Sequence, residues 1–335
     1  MNADSHLDIP PVHVLTGPLG SGKSTLLNRL LHTGLAPDTA IIVNEFGEAG
    51  LDRTFIQESS DEVLLMDNGC ICCSLRSDLS DTLMRLAALR DEHAWSMRRV
   101  IIETSGISDP IPILHTLRSD NRLRDRFRAG SVLCTVDAQA GAAALRERPE
   151  YVAQLGAADL ALLTKADLVD EPALRDVSAA VASANPLAKV VRTREALYDY
   201  LVDAAPRTDH TYDQLESLVP PARRAPHGVQ HIVLRYPGPL SWPLFAIWLT
   251  RLLFLHGDRI LRTKGILFDR DRNAWIGVHA VRRFLHPPIH LKLERPPESG
   301  SCLVFITDGI DPARIARSYE ELWQASSGHP AEPLS

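Results

Sequence analysis

The chain has no excess of basic residues: across 335 positions, 36 Lys and Arg stand against 42 Asp and Glu, a formal net charge of −6. With Arg scattered instead of clustered, that balance leaves no electrostatic footprint for nucleic acid, and no such partner is expected. No apolar run approaches the length that spans a bilayer, so no membrane partner is expected either. Residues 1–11 are polar and lack the charged-then-apolar pattern of a signal peptide, which points to a cytoplasmic location. Internal repeats and low-complexity tracts are absent too, which excludes stacked-repeat and compositionally biased architectures. Cysteine is scarce, and its distribution is uneven: of five residues, Cys70, Cys72 and Cys73 fall within four consecutive positions.

What is present begins with Gly17-Pro18-Leu19-Gly20-Ser21-Gly22-Lys23-Ser24, set between the apolar run 12–16 and a helix-like stretch at 25–32. This is a phosphate-binding P-loop in strand-to-helix context. Its glycines let the backbone curl so that several N–H groups face phosphate oxygens, and the helix N-terminus adds a favourable dipole. Gly17, Gly20, Ser21, Gly22, Lys23, Ser24 and Thr25 form the expected phosphate-binding set. Lys23 reaches the β- and γ-phosphates and Ser24 ligates Mg²⁺.

Two further segments complete a nucleotide site. The apolar strand at 100–102 ends in Glu103-Thr104-Ser105-Gly106. In P-loop hydrolases a carboxylate here holds Mg²⁺ and the glycine N–H senses the γ-phosphate, so Glu103 and Gly106 are the candidates for those roles. Further on, the apolar run 160–163 leads into Thr164-Lys165-Ala166-Asp167. The Asp167 carboxylate can accept from guanine N1–H and the 2-amino group together, with the Lys165 stem across the base. A paired acceptor of this kind favours GTP over ATP. Asn is the usual residue where Thr164 stands.

Thiolates as dense as Cys70, Cys72 and Cys73 suit a soft or borderline metal such as Zn²⁺, Cu(I) or an Fe–S cluster. A redox pair and plain packing are the alternatives at this point. Between P-loop and cysteines, residues 44–52 carry Glu45, Glu48 and Asp52 with Gly47 and Gly50. An acidic, glycine-containing loop suits a nucleotide switch, and Glu48 or Asp52 is the candidate oxygen ligand for the thiolate site. Cys134 and Cys302 lie in apolar runs and are expected in the core.

Strand candidates at 12–16, 39–44, 62–66, 99–103, 131–137, 160–164 and 189–192 alternate with helical patterns, as in a mostly parallel sheet flanked by helices. The motifs fall at C-terminal ends of these strands, where open α/β sheets bind ligands. The expected organisation is an α/β P-loop nucleoside-triphosphatase (NTPase) domain at 1–205, a Pro-rich linker at 206–228 and a small α+β domain at 229–326. In the last, strands are expected at 229–236, 259–268, 274–284 and 302–307, and a final helix after an Asp311 cap and Pro312. The helix at 242–255 is apolar almost all round and is expected to be buried centrally, with partner docking as the alternative. His286 and His290 are separated by Pro287 and Pro288, which precludes a regular helix presenting both to a metal.

Together, the P-loop, residues 44–52, the Asn68-Gly69-Cys70-Ile71-Cys72-Cys73 run, the 103–110 segment and residues 164–167 resemble the CobW-like metallochaperone GTPases, relatives of the nickel-insertion GTPases of urease and hydrogenase maturation. Leu261-Arg262-Thr263-Lys264-Gly265 is similar to the signature of that family's C-terminal domain. The resemblance implies a GTPase, using GTP/GDP and Mg²⁺, that holds Zn²⁺ at Cys70, Cys72 and Cys73. It implies transfer of the ion to a client metalloprotein in a step gated by hydrolysis. Co²⁺ or another divalent ion is the alternative metal, and a second copy of the chain is a further candidate partner. Many members carry a His-rich segment between the domains, whereas His210 and His227 are the histidines this chain has there. A metal-responsive GTPase switch without transfer, and a P-loop small-molecule kinase, are the competing functions.

Overall fold

The computed structural model describes residues 9–30, 38–43, 75–192, 228–236, 238–291 and 300–327, with the backbone alone at 75–78, 146 and 325–327. The chain divides into two compact units, Met1–Val181 with Ala188–Ala205, and Ala182–Leu187 with Pro206–Ser335.

In the first unit six strands form one sheet: β1 (Pro11–Thr16), β2 (Thr39–Val43), β3 (Arg99–Glu103), β4 (Arg128–Asp137), β5 (Leu160–Thr164) and β6 (Lys189–Arg192), in the order β2-β3-β1-β4-β5-β6. All of these pairings are parallel. Strands β1, β3 and β5 are buried along their whole length. That explains why their sequences are continuous apolar runs instead of alternating ones: both faces are covered by helices. Helix α1 (Lys23–Leu30) packs Leu26 and Leu27 into a cluster with Leu15, Ile101, Leu133 and Leu162. The chain leaves β1 toward one side of the sheet and reaches β4 on the other, so β1 stands at the switch point where ligands bind.

The candidate strand at 131–137 starts three residues earlier, at Arg128. Its register against β1 shifts between Val12 and Val14, and a Cβ on Gly130 would meet the Val12 carbonyl at 2.8 Å. A glycine beside a register shift is invisible to hydropathy. The candidate strand at 62–66, the last residue of the candidate at 39–44 and the end of the helix-like stretch at 31–32 lie outside the described residues.

The second unit is an antiparallel sheet of β7 (Val229–Tyr236), β8 (Ile260–Asp269), β9 (Ala274–Val281), β10 (Phe284–Leu285), β11 (Ile289–Leu291) and β12 (Ser301–Asp308), ordered β10-β9-β8-β12-β7 with β11 also on β9. Helix α7 (Trp242–His256) and helix α8 (Pro312–Ser327) share its main core with Ile232, Leu267, Leu303 and Phe305. Asp311 caps α8, its Oδ1 accepting from the Ala313 N–H at 3.0 Å. The span expected as one strand at 274–284 is broken: Arg282 takes φ +48°, and Phe284 folds back to pair with Val281. No Gly or Asn marks that turn. Central burial of α7 is also corrected, since only Phe245, Leu249, Leu252 and Leu253 are buried. A helix lying on a sheet covers one side, however apolar its other side is.

Buried His13 in β1 accepts a hydrogen bond at Nδ1 from the Ser131 N–H at 3.1 Å. Burial, reinforced by Arg128 and Arg99, pushes it down from 6.5 to about 4. The folded chain therefore keeps His13 neutral where the unfolded chain protonates it. Stability tied to this group is present above pH 6.5 and is lost as pH falls toward 4, by about 3 kcal/mol over the window. Urea unfolding at pH 7 and pH 4.5 is expected to show a smaller pH-dependent loss in a His13→Gln variant than in the parent chain.

Candidate functional site

The loop after β1 is pressed against β4. Gly17 sits at φ +137°, and a Cβ there would lie 2.2 Å from Thr135 Oγ1, so both conformation and space demand glycine. Lys23 opens α1, and its ammonium turns into the loop, donating to the Gly17 carbonyl at 2.9 Å and the Pro18 carbonyl at 3.2 Å. One residue on, Ser24 Oγ donates to Glu103 Oε1 at 2.9 Å. These two meet because β1 and β3 are neighbours with Leu15 opposite Glu103. A hydroxyl and a buried carboxylate brought together at the mouth of a phosphate loop are hard oxygen donors that fit Mg²⁺.

The loop is also fastened to the segment that follows β5. Thr164 Oγ1 donates to the Ser21 carbonyl at 2.7 Å, Ser21 Oγ lies 2.6 Å from Thr135 Oγ1, and Thr135 Oγ1 donates to the Thr16 carbonyl at 3.2 Å. Thr164, which departs from the more usual Asn, is thus a latch between β5 and the P-loop. Lys165 follows at φ +53°, a left-handed conformation costing about 1–2 kcal/mol for a non-glycine residue. It is held there by Asp137 at the end of β4, whose Oδ2 lies 2.6 Å from Lys165 Nζ. Asp137 Oδ1 in turn accepts from the Gln139 and Ala140 N–H groups at 2.9 and 3.2 Å. Asp167, in the one-turn 3-10 helix Ala166–Leu168, is exposed beside that lysine.

The segment after β3 closes the other flank. A Cβ on Gly106 would meet Leu19 N at 2.4 Å, so its backbone lies directly against the P-loop. Gln154, buried in α5 (Pro149–Ala157), donates through Nε2 to the carbonyls of Gly106 at 3.2 Å and Ser108 at 3.0 Å. Asp137 and Gln154 were not among the sequence candidates. Asp137 carries the same signal as Glu103, an acid ending an apolar strand, whereas Gln154 is one amide in an apolar helix and announces nothing.

Cys70, Cys72, Cys73, Glu48 and the 44–52 loop lie outside the described residues. Cys134 and Cys302 are buried, and burial pushes the Cys134 thiol up to about 12, far from a reactive thiolate. Among the described residues no group of three or more His, Cys, Asp and Glu is disposed to hold a metal, and no helix is long and apolar enough to cross a membrane.

The profile of the family described as CobW/HypB/UreG, nucleotide-binding domain, matches residues 11–192, more than half of the chain. The chain belongs to this family. A second profile, the cobalamin synthesis protein cobW C-terminal domain, matches residues 229–322. Among curated relatives, zinc chaperone YjiA of Escherichia coli (strain K12) is 37% identical over 160 residues, 48% of this chain and 50% of the relative. Zinc chaperone CobW of Pseudomonas aeruginosa is 32% identical over 209 residues, 53% and 54% of the two chains. The chain thus spans about half the length of the curated relatives it matches. The crystal structure of Zn(II)-bound YjiA GTPase from E. coli superposes with a TM-score of 0.69 at 24% identity, covering 96% of this chain and 99% of that one. That likeness extends the CobW fold across both units.

Two substitutions probe this geometry. Gly106→Ala is expected to force the P-loop and the β3 segment apart and weaken a fluescent guanine nucleotide by roughly 10- to 100-fold, the equivalent of about 1–3 kcal/mol of overpacking. Asp137→Asn, which removes the charge holding Lys165, is expected to weaken it several-fold without lowering the thermal midpoint comparably. Both are read by equilibrium anisotropy.

Proposed function

We propose that this chain is a GTPase that carries a divalent metal ion, Zn²⁺ foremost, and hands it to a client metalloprotein when GTP is hydrolysed. The observation that carries the nucleotide half is the Ser24–Glu103 contact of 2.9 Å at the foot of a P-loop already closed around Lys23. Membership of the CobW/HypB/UreG family and relatives named zinc chaperones support the metal half.

In this reading the N–H groups of Gly17, Gly20, Ser21, Gly22 and Thr25 face the phosphates, Lys23 neutralises the β- and γ-phosphoryl oxygens, and Ser24 and Glu103 hold Mg²⁺. When bound, that ion neutralises charge on the transferring phosphoryl group. Gly106 presents its N–H to the γ-phosphate, and Gln154 fixes the loop that carries it. Thr164 positions the segment in which Lys165 covers the base and Asp167 reads guanine. Cys70, Cys72 and Cys73, with Glu48, bind the metal cargo. The working division is a nucleotide domain at 1–205, a linker at 206–228 and the C-terminal domain at 229–326.

Phosphate release is expected to be slow, because among the described residues of the site no Arg stands to supply a built-in finger, and selective for GTP, because Asp167 reads the base. Lys23→Ala is expected to abolish turnover, and Asp167→Asn to shift preference toward xanthosine triphosphate, whose C2 carbonyl accepts from the new amide. Equal use of ATP and GTP by the parent chain contradicts the guanine assignment.

Reduced protein is expected to bind about one Co²⁺ with thiolate charge-transfer bands of a tetrahedral site. Those bands are expected to vanish in a Cys72→Ser, Cys73→Ser double variant. Unchanged spectra there place the cargo elsewhere.

A further inference from the structure

The C-terminal unit carries a surface that the nucleotide and metal chemistry does not use. Helix α7 is anchored through Phe245, Leu249, Leu252 and Leu253, yet Leu244, Ile247, Phe254 and Leu255 are 42%, 67%, 72% and 56% exposed. At about 100° per residue these four positions share one arc of about 100° on the helix, with exposed Arg251 at its centre. Exposed apolar residues scattered singly mean little, but a contiguous stripe of this size marks an interaction surface.

Beside the stripe, between α7 and the start of α8, an open cavity of about 640 Å³ shares Arg251 and Leu255 with it. Trp248, Leu252, Ile310 and Ile315 give the cavity an apolar floor, and Trp248 Nε1 is satisfied by Ser318 Oγ at 2.8 Å. Arg251, Arg259 and Arg314 line it and form no ion pair among the described residues. Of the acids that also line it, Asp258 is taken by Arg283 and Asp311 caps α8, which leaves Glu321 as the one facing carboxylate without such a role. His256 completes the titratable set. With Asp258 taken by Arg283, three guanidinium groups face the two carboxylates of Asp311 and Glu321, a local excess of one positive charge on a chain whose net charge is −6.

We propose that this stripe and groove dock an amphipathic helical segment of a partner protein that presents carboxylates between large apolar side chains. The apolar anchors cover Ile247, Phe254 and Leu255 and enter the cavity, while the carboxylates meet the guanidinium groups in charge-assisted pairs. A second copy of the chain is the competing occupant, and charge argues against it. The stripe runs from Leu244 to Leu255, so a two-fold antiparallel packing of α7 on its own copy brings Arg251 beside Arg251 near the axis. Two like charges would then lie side by side at the axis, where α7 itself offers no acid. A partner carboxylate at that place turns the same arginine into an anchor. The inference rests on the C-terminal unit alone and stands or falls independently of the nucleotide and cysteine assignments.

The test uses the full chain and two labelled amphipathic helical peptides with leucines along one face, one flanked by glutamates and the other by lysines. Anisotropy titrations are expected to show the glutamate peptide binding at least about tenfold more tightly. Arg251→Glu is expected to reverse that preference, and Ile247→Asp with Phe254→Asp to abolish binding of both peptides while guanine-nucleotide affinity is retained. Failure of both peptides to bind, equal binding of the two, or a preference unchanged by Arg251→Glu overturns the proposal. So does a parent chain that sediments as a dimer and becomes monomeric on Phe254→Asp, which makes the stripe a self-interface. Should the double variant misfold, the two peptides on the unmodified chain still decide.

Discussion

The phosphate-binding loop is tied to the sheet by a relay of hydroxyls, Thr164 to the Ser21 carbonyl, Ser21 to Thr135, and Thr135 to the Thr16 carbonyl. Each such bond contributes only about 0.5–1.5 kcal/mol net, but leaving a buried partner unmade costs about 1–3 kcal/mol. The relay is therefore hard to open one bond at a time, and it holds the curl of the loop. Ligand binding is spared the ordering cost that a slack glycine loop would impose. The same relay fixes the distance between the phosphate loop and the turn at Lys165–Asp167, because Thr164 is the residue immediately before Lys165.

A second contact ties the loop to the segment that follows β3. Gly106 rests against the backbone of Leu19, and Gln154 grips the carbonyls of Gly106 and Ser108 from α5. Any displacement of Gly106 must either push Leu19 or break the hydrogen bond from the buried Gln154 amide to its carbonyl. A close-packed contact of this kind passes a shift on to its neighbours instead of absorbing it. Its elements are all in the CobW/HypB/UreG nucleotide-binding unit, where the proposed gating of metal carriage by GTP has its physical origin.

Much of the site was legible because its chemistry demands particular residues at particular spacings. Gly17 must be glycine for the space beside Thr135, Lys23 and Ser24 must follow it at the helix start, and Glu103 must end the neighbouring strand. The parallel sheet was legible for a related reason, since strands buried on both faces read as unbroken apolar runs. What escaped the sequence depends on three-dimensional neighbours. Gln154 and His13 look like ordinary polar interruptions until the segments they touch are known, and the backbone turn at Arg282 has no composition to betray it. The helix at 242–255 misled in an instructive way: hydropathy reports how apolar a residue is, not whether the second side of a helix has anything to cover it. Arg251 at the centre of that uncovered side is the one residue in the stripe that hints at a partner.

The central claim is that nucleotide and metal act on one another through this framework, and linkage makes the effect reciprocal. The most direct measurement is the dissociation constant of Zn²⁺ for the reduced full chain with GDP and with a non-hydrolysable GTP analogue, paired with nucleotide titrations with and without Zn²⁺. The two ratios are expected to agree and to fall in the range of about 5- to 150-fold typical of coupled sites. Identical zinc affinities in the two nucleotide states, with both sites shown to be filled, would contradict a GTP-gated metal carrier.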